Sequence, residues 1–172
     1  MLRIITLNLS YLADKHGPWE KRKDAILNML RDRNPHIIAL QAVAQHPGRY
    51  GGKDQAYQLC EGLHDFQSHY FEKAQTMDGA NHGIAVIAKF PILEKSHIKL
   101  QRLPNVDDGN ERVMLKTVFS RPGGKFALYN AHFSWVHEQA ETNIREAFEF
   151  MHRDGPTAAI IAGDMNLSLI HI

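Results

Sequence analysis

Cysteine is almost missing: Cys60 is the single one in 172 residues. An internal disulfide framework is therefore impossible, and a reducing, cytoplasmic setting is the expectation. Cys60 lies between Leu59 and Leu63 in a stretch of helical spacing, which predicts a buried thiol. Charge of one sign is missing too. Twenty Lys and Arg against 19 Asp and Glu leave a formal net charge of +1, without the global positive field of non-specific duplex binders. No apolar run reaches membrane-spanning length, and Met1 to Leu9 lacks the basic start, long apolar centre and cleavage site of a secretory leader. The 11 histidines are scattered, with no paired Cys or His-x-x-x-His spacing of a zinc site. Repeats, linkers and low-complexity tracts are also absent, so a single domain over 1–172 is expected, acting as a monomer.

What is present is punctuated hydrophobicity. Leu2 to Leu9 gathers Ile4, Ile5, Leu7 and Leu9 into a predicted strand, ended by a polar loop from Ser10 to Pro18. Trp19 to Asp32 sets Trp19, Ile26, Leu27 and Leu30 on one helical face, and Pro35 forbids its continuation. His36 to Gln41 is a nearly unbroken apolar run, which predicts a strand buried on both faces. Ala56, Leu59, Cys60 and Leu63 mark a short helix. Further strands are predicted at Phe66–Phe71, Gly83–Ala88, Ile92–Leu100, Val113–Ser120 and Phe126–Ala131. Helical period returns over Glu138–His152, and Ala158–Ala162 reads as a last buried strand. Helices flanking two strand-rich blocks predict an α/β (α+β) sandwich of two mixed sheets covered by helices.

Polar residues just past the ends of buried strands are the functional candidates, because a sheet positions them while a loop exposes them. They are Asn8, Gln41-Ala42, Asn130-Ala131-His132 and Gly163-Asp164-Met165-Asn166, with Asn110-Glu111-Arg112 at another strand's start. Together with Arg3-Ile4-Ile5-Thr6-Leu7-Asn8, Pro35-His36-Ile37-Ile38-Ala39-Leu40-Gln41, Gly83-Ile84-Ala85-Val86-Ile87 and Ile161-Ala162-Gly163-Asp164, this series resembles the endonuclease/exonuclease/phosphatase superfamily, the DNase I-like and exonuclease III-like group. The resemblance implies a four-layer αββα sandwich and hydrolysis of a phosphoester, of nucleic acid or a phospholipid head group among others, with Mg²⁺ or Mn²⁺. It implies that Asp164 and Asn8 serve as metal ligands and that His132, Asp164 and Asn166 are catalytic. His132 would meet the phosphorus centre as an imidazolium. Asn8, Asn130 and Arg112 would contact substrate, Arg112 in a supporting role.

Two departures from that pattern carry consequences. The second strand of the family normally ends Leu-Gln-Glu with the glutamate as main Mg²⁺ ligand, whereas this chain has Leu40-Gln41-Ala42. Losing that carboxylate weakens Mg²⁺ unless another group, such as Asp54 or Gln41, reaches the site. The family's late Asp and Ser-Asp-His-like segment have no counterpart, and His171 follows Asp164 too soon to serve. By the resemblance, then, the chain is the front part of a longer domain and inactive alone. The alternative function is a phosphate- or nucleic-acid-binding relative without turnover. Blander readings stand beside these. Asp164 and Asn166 suit an ordinary turn, Asp78-Gly79-Ala80-Asn81 is a hairpin turn that makes Asn81-His82 unremarkable, and Glu20 to Lys23 is a solvated helix face. Trp135 and His137 fit either a cleft or a core edge, and Gly51-Gly52-Lys53 lacks the spacing of a phosphate loop.

Overall fold

The computed structural model describes residues 1–11, 13–153 and 158–167. Along them run β1 (Ile4–Asn8), α1 (Ala13–His16), α2 (Trp19–Arg33), β2 (Ile37–Gln45), a 3-10 turn (Tyr50–Gly52), α3 (Gln55–Gly62), β3 (Ser68–Met77), β4 (Ala80–Ala88), β5 (Glu94–Leu100), β6 (Arg112–Arg121), β7 (Gly124–His132), α4 (His137–Arg153) and β8 (Ala158–Asp164). The expected helices and strands are all there, with shifted ends. His171 lies outside the described residues.

Among those residues the strands form two mixed sheets of four, ordered β1-β2-β4-β3 and β5-β6-β7-β8. The outer pairs β1–β2 and β7–β8 are parallel and the other neighbours antiparallel. Side-chain alternation explains the layers. Ile38 and Leu40 of β2 join Leu27 and Leu30 of α2 and Leu59 of α3 in one apolar cluster. Their neighbours Ile37 and Ala39 face the other way, meeting Val113 and Leu115 of β6 and Leu128 of β7 between the sheets. Met114 and Tyr129 point outward from the second sheet onto Phe150 of α4. The expected helix–sheet–sheet–helix sandwich is the observed one.

Local chemistry sets the element ends. Asn34 closes α2 in the left-handed conformation at φ 46°, its N–H donating to the Leu30 carbonyl at 2.9 Å, and Pro35 follows. Asp54 starts α3 by accepting from the Tyr57 N–H at 2.9 Å. The hairpin turn narrows to Asp78-Gly79, both at positive φ, so that Ala80, Asn81 and His82 lie in β4 rather than in a turn. The polar loop from Ser10 to Pro18 contains the short α1. The Ala158–Ala162 run, expected to be buried, is not. β8 has β7 on one side and, among the described residues, no strand on the other, which leaves Ile160 36 % and Ile161 37 % exposed. Cys60 is half-buried, and burial pushes its thiol pKa up.

Among the buried polar side chains between the sheets, one ties the two sheets together. Asn130 of β7 is fully buried, and its Nδ2 donates to the carbonyls of Leu40 at 3.0 Å and Ala85 at 2.9 Å in the opposite sheet. Its Oδ1 accepts from Gln41 Nε2 at 2.8 Å. Leu40 and Ala85 are a register pair at the edge of a bulge where β2 slips against β4 before Val43. The amide thus satisfies carbonyls at the point where the ladder is interrupted. Replacing Asn130 with Ala is expected to cost roughly 2–4 kcal/mol, since it leaves buried polar groups unmet. Urea unfolding checks this, and an unchanged midpoint would mean that the tie is dispensable.

Candidate active site

The two parallel edge strands bring the polar strand ends together. In the β7–β8 register His132 lies beside Asp164, and in β1–β2 Asn8 lies beside Gln41. β1 and β8 are the sheet edges on one side of the sandwich and contact each other, so Asn8 crosses from one sheet to the other. Its Nδ2 donates to Asp164 Oδ2 at 2.8 Å, and its Oδ1 accepts from the Ser10 N–H at 2.9 Å. His132 Nε2 stands 3.8 Å from the same Asp164 oxygen. The other oxygen, Oδ1, accepts from the Asn166 N–H at 3.0 Å. Asn166, at φ 49°, donates its Nδ2 to the Phe133 carbonyl at 2.6 Å, so the turn after β8 is sewn to the segment after β7.

Close backbone approach makes this possible. A Cβ on Gly163 would lie 2.0 Å from the Ala131 carbonyl oxygen, so only glycine lets β8 pass there and present the next residue, Asp164. Arg22, expected on a solvated face, instead turns inward. It donates to the Leu9 carbonyl and, from Nε at 3.1 Å, to the Gly17 carbonyl, holding the segment that follows Asn8.

Behind His132 is an ion pair that the sequence reading did not identify. Asp108 is 1 % exposed and accepts from Arg112 Nε at 2.9 Å and Nη2 at 2.8 Å, Ser134 Oγ at 2.6 Å and Asn110 Nδ2 at 2.9 Å. Burial works to raise its pKa, but the hydrogen bonds from Ser134 and Asn110 and the Arg112 charge outweigh it and hold the carboxyl below its usual range. Arg112 Nη1 donates to the His132 carbonyl at 3.0 Å, and its guanidinium lies 5.2 Å from the Trp135 ring centroid.

Burial first and the Arg112 charge second push the His132 pKa down to about 4, against the weaker pull of Asp164 and Asp108. The imidazole is therefore neutral at neutral pH. Without a bound anion the expected imidazolium is thus not the favoured form, because a nearby cation and a desolvated ring both disfavour the charged form.

Of the six site residues read from the sequence, the structure gathers Asn8, His132 and Asp164, with Asn166 behind them. It does not place the other two for direct substrate contact. Asn130 is turned into the interior, and Arg112 spends its donors on Asp108 and His132. Trp135, left open between cleft and core, is 57 % exposed. It borders a cleft next to His132 that Tyr11, Ala42 and His82 also line. Tyr11 and Asp108 have no signal in the sequence beyond their residue types, and His82 reads there as part of the hairpin turn; Asp108 meets Arg112 only four positions on, but on an irregular segment whose spacing carries no period.

Mg²⁺ or Mn²⁺ is poorly served by these groups. Around Asn8 and His132, Asp164 is the carboxylate, and Asn8 turns its amide N–H₂ toward it. No group of three or more His, Cys, Asp or Glu side chains able to hold a metal occurs among the described residues. Neither proposed stand-in is free: Asp54 caps α3 and pairs with His69 at 3.0 Å, and Gln41 is bound to Asn130. Ala42 offers no donor. It sits at φ 50° in the β2 bulge, an unfavourable conformation for a residue with a Cβ. The described residues do not fit a resident divalent ion.

A family model described as the Endonuclease/Exonuclease/phosphatase family matches residues 5–172. No curated protein matches the sequence. Among solved structures, the chain is similar to an endonuclease/exonuclease/phosphatase family protein from Leptotrichia buccalis, with a TM-score of 0.77 and 18 % identity over 99 % of this chain and 68 % of that one. It is also similar to an endonuclease/exonuclease/phosphatase from Beutenbergia cavernae, with a TM-score of 0.76 and 21 % identity over 96 % of this chain and 47 % of that one. A mannosyl-6-phosphatase from Bacteroides thetaiotaomicron gives 0.71 and 19 %, over 99 % and 66 %. At these identities the likeness is one of fold, and the chain spans between 47 % and 68 % of the length of these three relatives.

The depressed His132 pKa generates a prediction with a definite sign. The unfolded chain binds a proton near pH 6.5 that the folded chain refuses until about pH 4, so folding stability contributed by this group falls as pH drops through that window. Ring-proton NMR of His132 is expected to show a midpoint near 4. A midpoint at or above 6.5 would contradict the buried, Arg112-facing environment.

Proposed function

From the premise that the chain belongs to the endonuclease/exonuclease/phosphatase family, we propose that Asn8, His132 and Asp164 form the phosphoester-handling part of a hydrolytic centre. The observation that carries the reading is the convergence of an amide and a neutral imidazole on one carboxylate oxygen, at the joined ends of β1, β7 and β8. Family membership supports phosphoester hydrolysis in general. The donors described above fit no resident metal, although members of the family generally use divalent ions, so each role below is assigned to side chains alone.

Hydrolysis needs a water aligned opposite the leaving oxygen and groups that absorb the charge moving onto the phosphoryl and leaving oxygens. Asp164 is the carboxylate that accepts a hydrogen bond from the attacking water and draws its proton. Asn8 holds that carboxylate in place through its amide. Neutral His132 retains one ring N–H, which donates to a phosphoryl or leaving oxygen. An incoming phosphate brings negative charge close to the ring and raises its proton affinity, so the bound state favours the acid that leaving-group departure requires. Asn166, which gives its backbone N–H to Asp164 and one amide N–H to Phe133, positions Asp164.

A second reading has one observation in its favour: Ala42 stands where the family's carboxylate is expected, so phosphate binding without turnover is the alternative. Hydrolysis of an aryl phosphodiester, with and without Mn²⁺ and compared between the chain and Asp164→Asn, separates the two. The expected outcome is a fall of about 100-fold or more in kcat/KM with an unchanged unfolding midpoint. Full activity in Asp164→Asn would remove the site assignment, whereas phosphate binding without any turnover would favour the second reading.

A further inference from the structure

The cleft next to His132 is walled by side chains of two kinds. One kind is polar and, apart from His82 and the Glu111 carboxylate, already engaged. Gln75 Nε2 donates to Asn110 Oδ1 at 2.9 Å, Gln75 Oε1 accepts from the Glu111 N–H at 2.9 Å, and Asn110 Nδ2 donates to Asp108 at 2.9 Å. Arg112 is likewise committed to Asp108 and to the His132 carbonyl. The other kind is apolar or aromatic and largely free of such ties: Tyr11, Ala42, Ile84, Trp135. Trp135 leaves 57 % of its surface in solvent beside the site while its ring packs on Arg112. Across the cleft Tyr11 lies over His82 with ring centroids 4.4 Å apart. His82 is 8 % exposed, and its Nδ1 is a buried side-chain atom with no hydrogen-bond partner.

We propose that this cleft receives a flat, weakly polar ring carried on the phosphoester, an aryl or heteroaryl group, and disfavours sugar and inositol rings. The inference rests on the phosphoester reading above and names which kind of ester the site takes. A polyol ring buried here finds the Gln75 and Asn110 amides and the Arg112 guanidinium largely engaged with one another, with Glu111 and His82 Nδ1 as the remaining acceptors, and each of its several hydroxyls left unmet costs about 1–3 kcal/mol. A planar ring asks for aromatic faces and carbon, which Tyr11, Trp135, Ala42 and Ile84 supply. Glu111, half-exposed and 3.7 Å from Lys99, sets negative charge at the same cleft, which disfavours a second phosphate on the ligand. Small size at position 42 belongs to the same account, because a longer side chain on the bulge would occupy the cleft that Ala42 lines.

Calorimetric titration of the 172-residue chain with inorganic phosphate, benzylphosphonate and inositol monophosphate tests the proposal. Benzylphosphonate is expected to bind about tenfold more tightly than phosphate, and inositol monophosphate no more tightly than phosphate. In Trp135→Ala the ratio between benzylphosphonate and phosphate is expected to fall toward one, and in Trp135→Phe to be largely kept. Equal affinity for phosphate and benzylphosphonate, or a preference for inositol monophosphate, overturns the ring inference while leaving the phosphoester reading standing. Absence of binding by all three overturns both.

Discussion

The position of everything at the site depends on how the two sheets are locked against each other, and that lock is the buried amide of Asn130. Apolar packing between the sheets is strong but non-directional, so it tolerates sliding. Hydrogen bonds from one amide to Leu40, Ala85 and Gln41 do not, because each has a narrow range of distance and angle. Asn130 lies two residues before His132 on β7, and Gln41 pairs with Asn8 in the β1–β2 register. The same tie that aligns the sheets therefore sets where Asn8 and His132 come to rest.

Electrostatics adds a second layer of control. Asp108 holds Arg112 and Arg112 holds the His132 backbone, so a buried ion pair acts on the imidazole both as a mechanical support and as a nearby positive charge. Pairing the arginine with a carboxylate satisfies two buried charges that would be costly apart. It also removes Arg112 from direct anion binding and leaves neutral Asn8 and neutral His132 around the single carboxylate of Asp164. Polar saturation on one wall of the cleft and exposed aromatic surface on the other are two results of one network.

Much of the fold was legible because it rests on local periodicity. The double-sided burial of β2 follows from an apolar run, the end of α2 from Pro35, and the hairpins from Gly and Asp. The β8 run was misjudged for a reason that periodicity cannot reveal: Ile160 and Ile161 are as apolar as any core strand, yet whether they are covered depends on what lies beyond the sheet edge. Of the site, Asn8, His132 and Asp164 could be named since strand ends are where a sheet presents polar groups. Asn130 and Arg112 look equally polar in the sequence, and nothing in it tells a residue facing a cleft from one turned into the interior.

The sequence alone determined which segments are strands and helices, that two mixed sheets would be layered with helices, and that polar residues would gather at strand ends, because these follow from backbone sterics and from patterns spanning a few residues. Only the tertiary structure decided that Asp108 pairs with Arg112, that His132 is kept neutral, that Tyr11 and Trp135 face one cleft, and that no three metal-binding side chains meet among the described residues. Asp108 and Arg112 are only four positions apart, on a segment with no helical or strand period to predict their meeting, and the others depend on distances between residues far apart in the chain, set by packing and burial rather than by any local pattern.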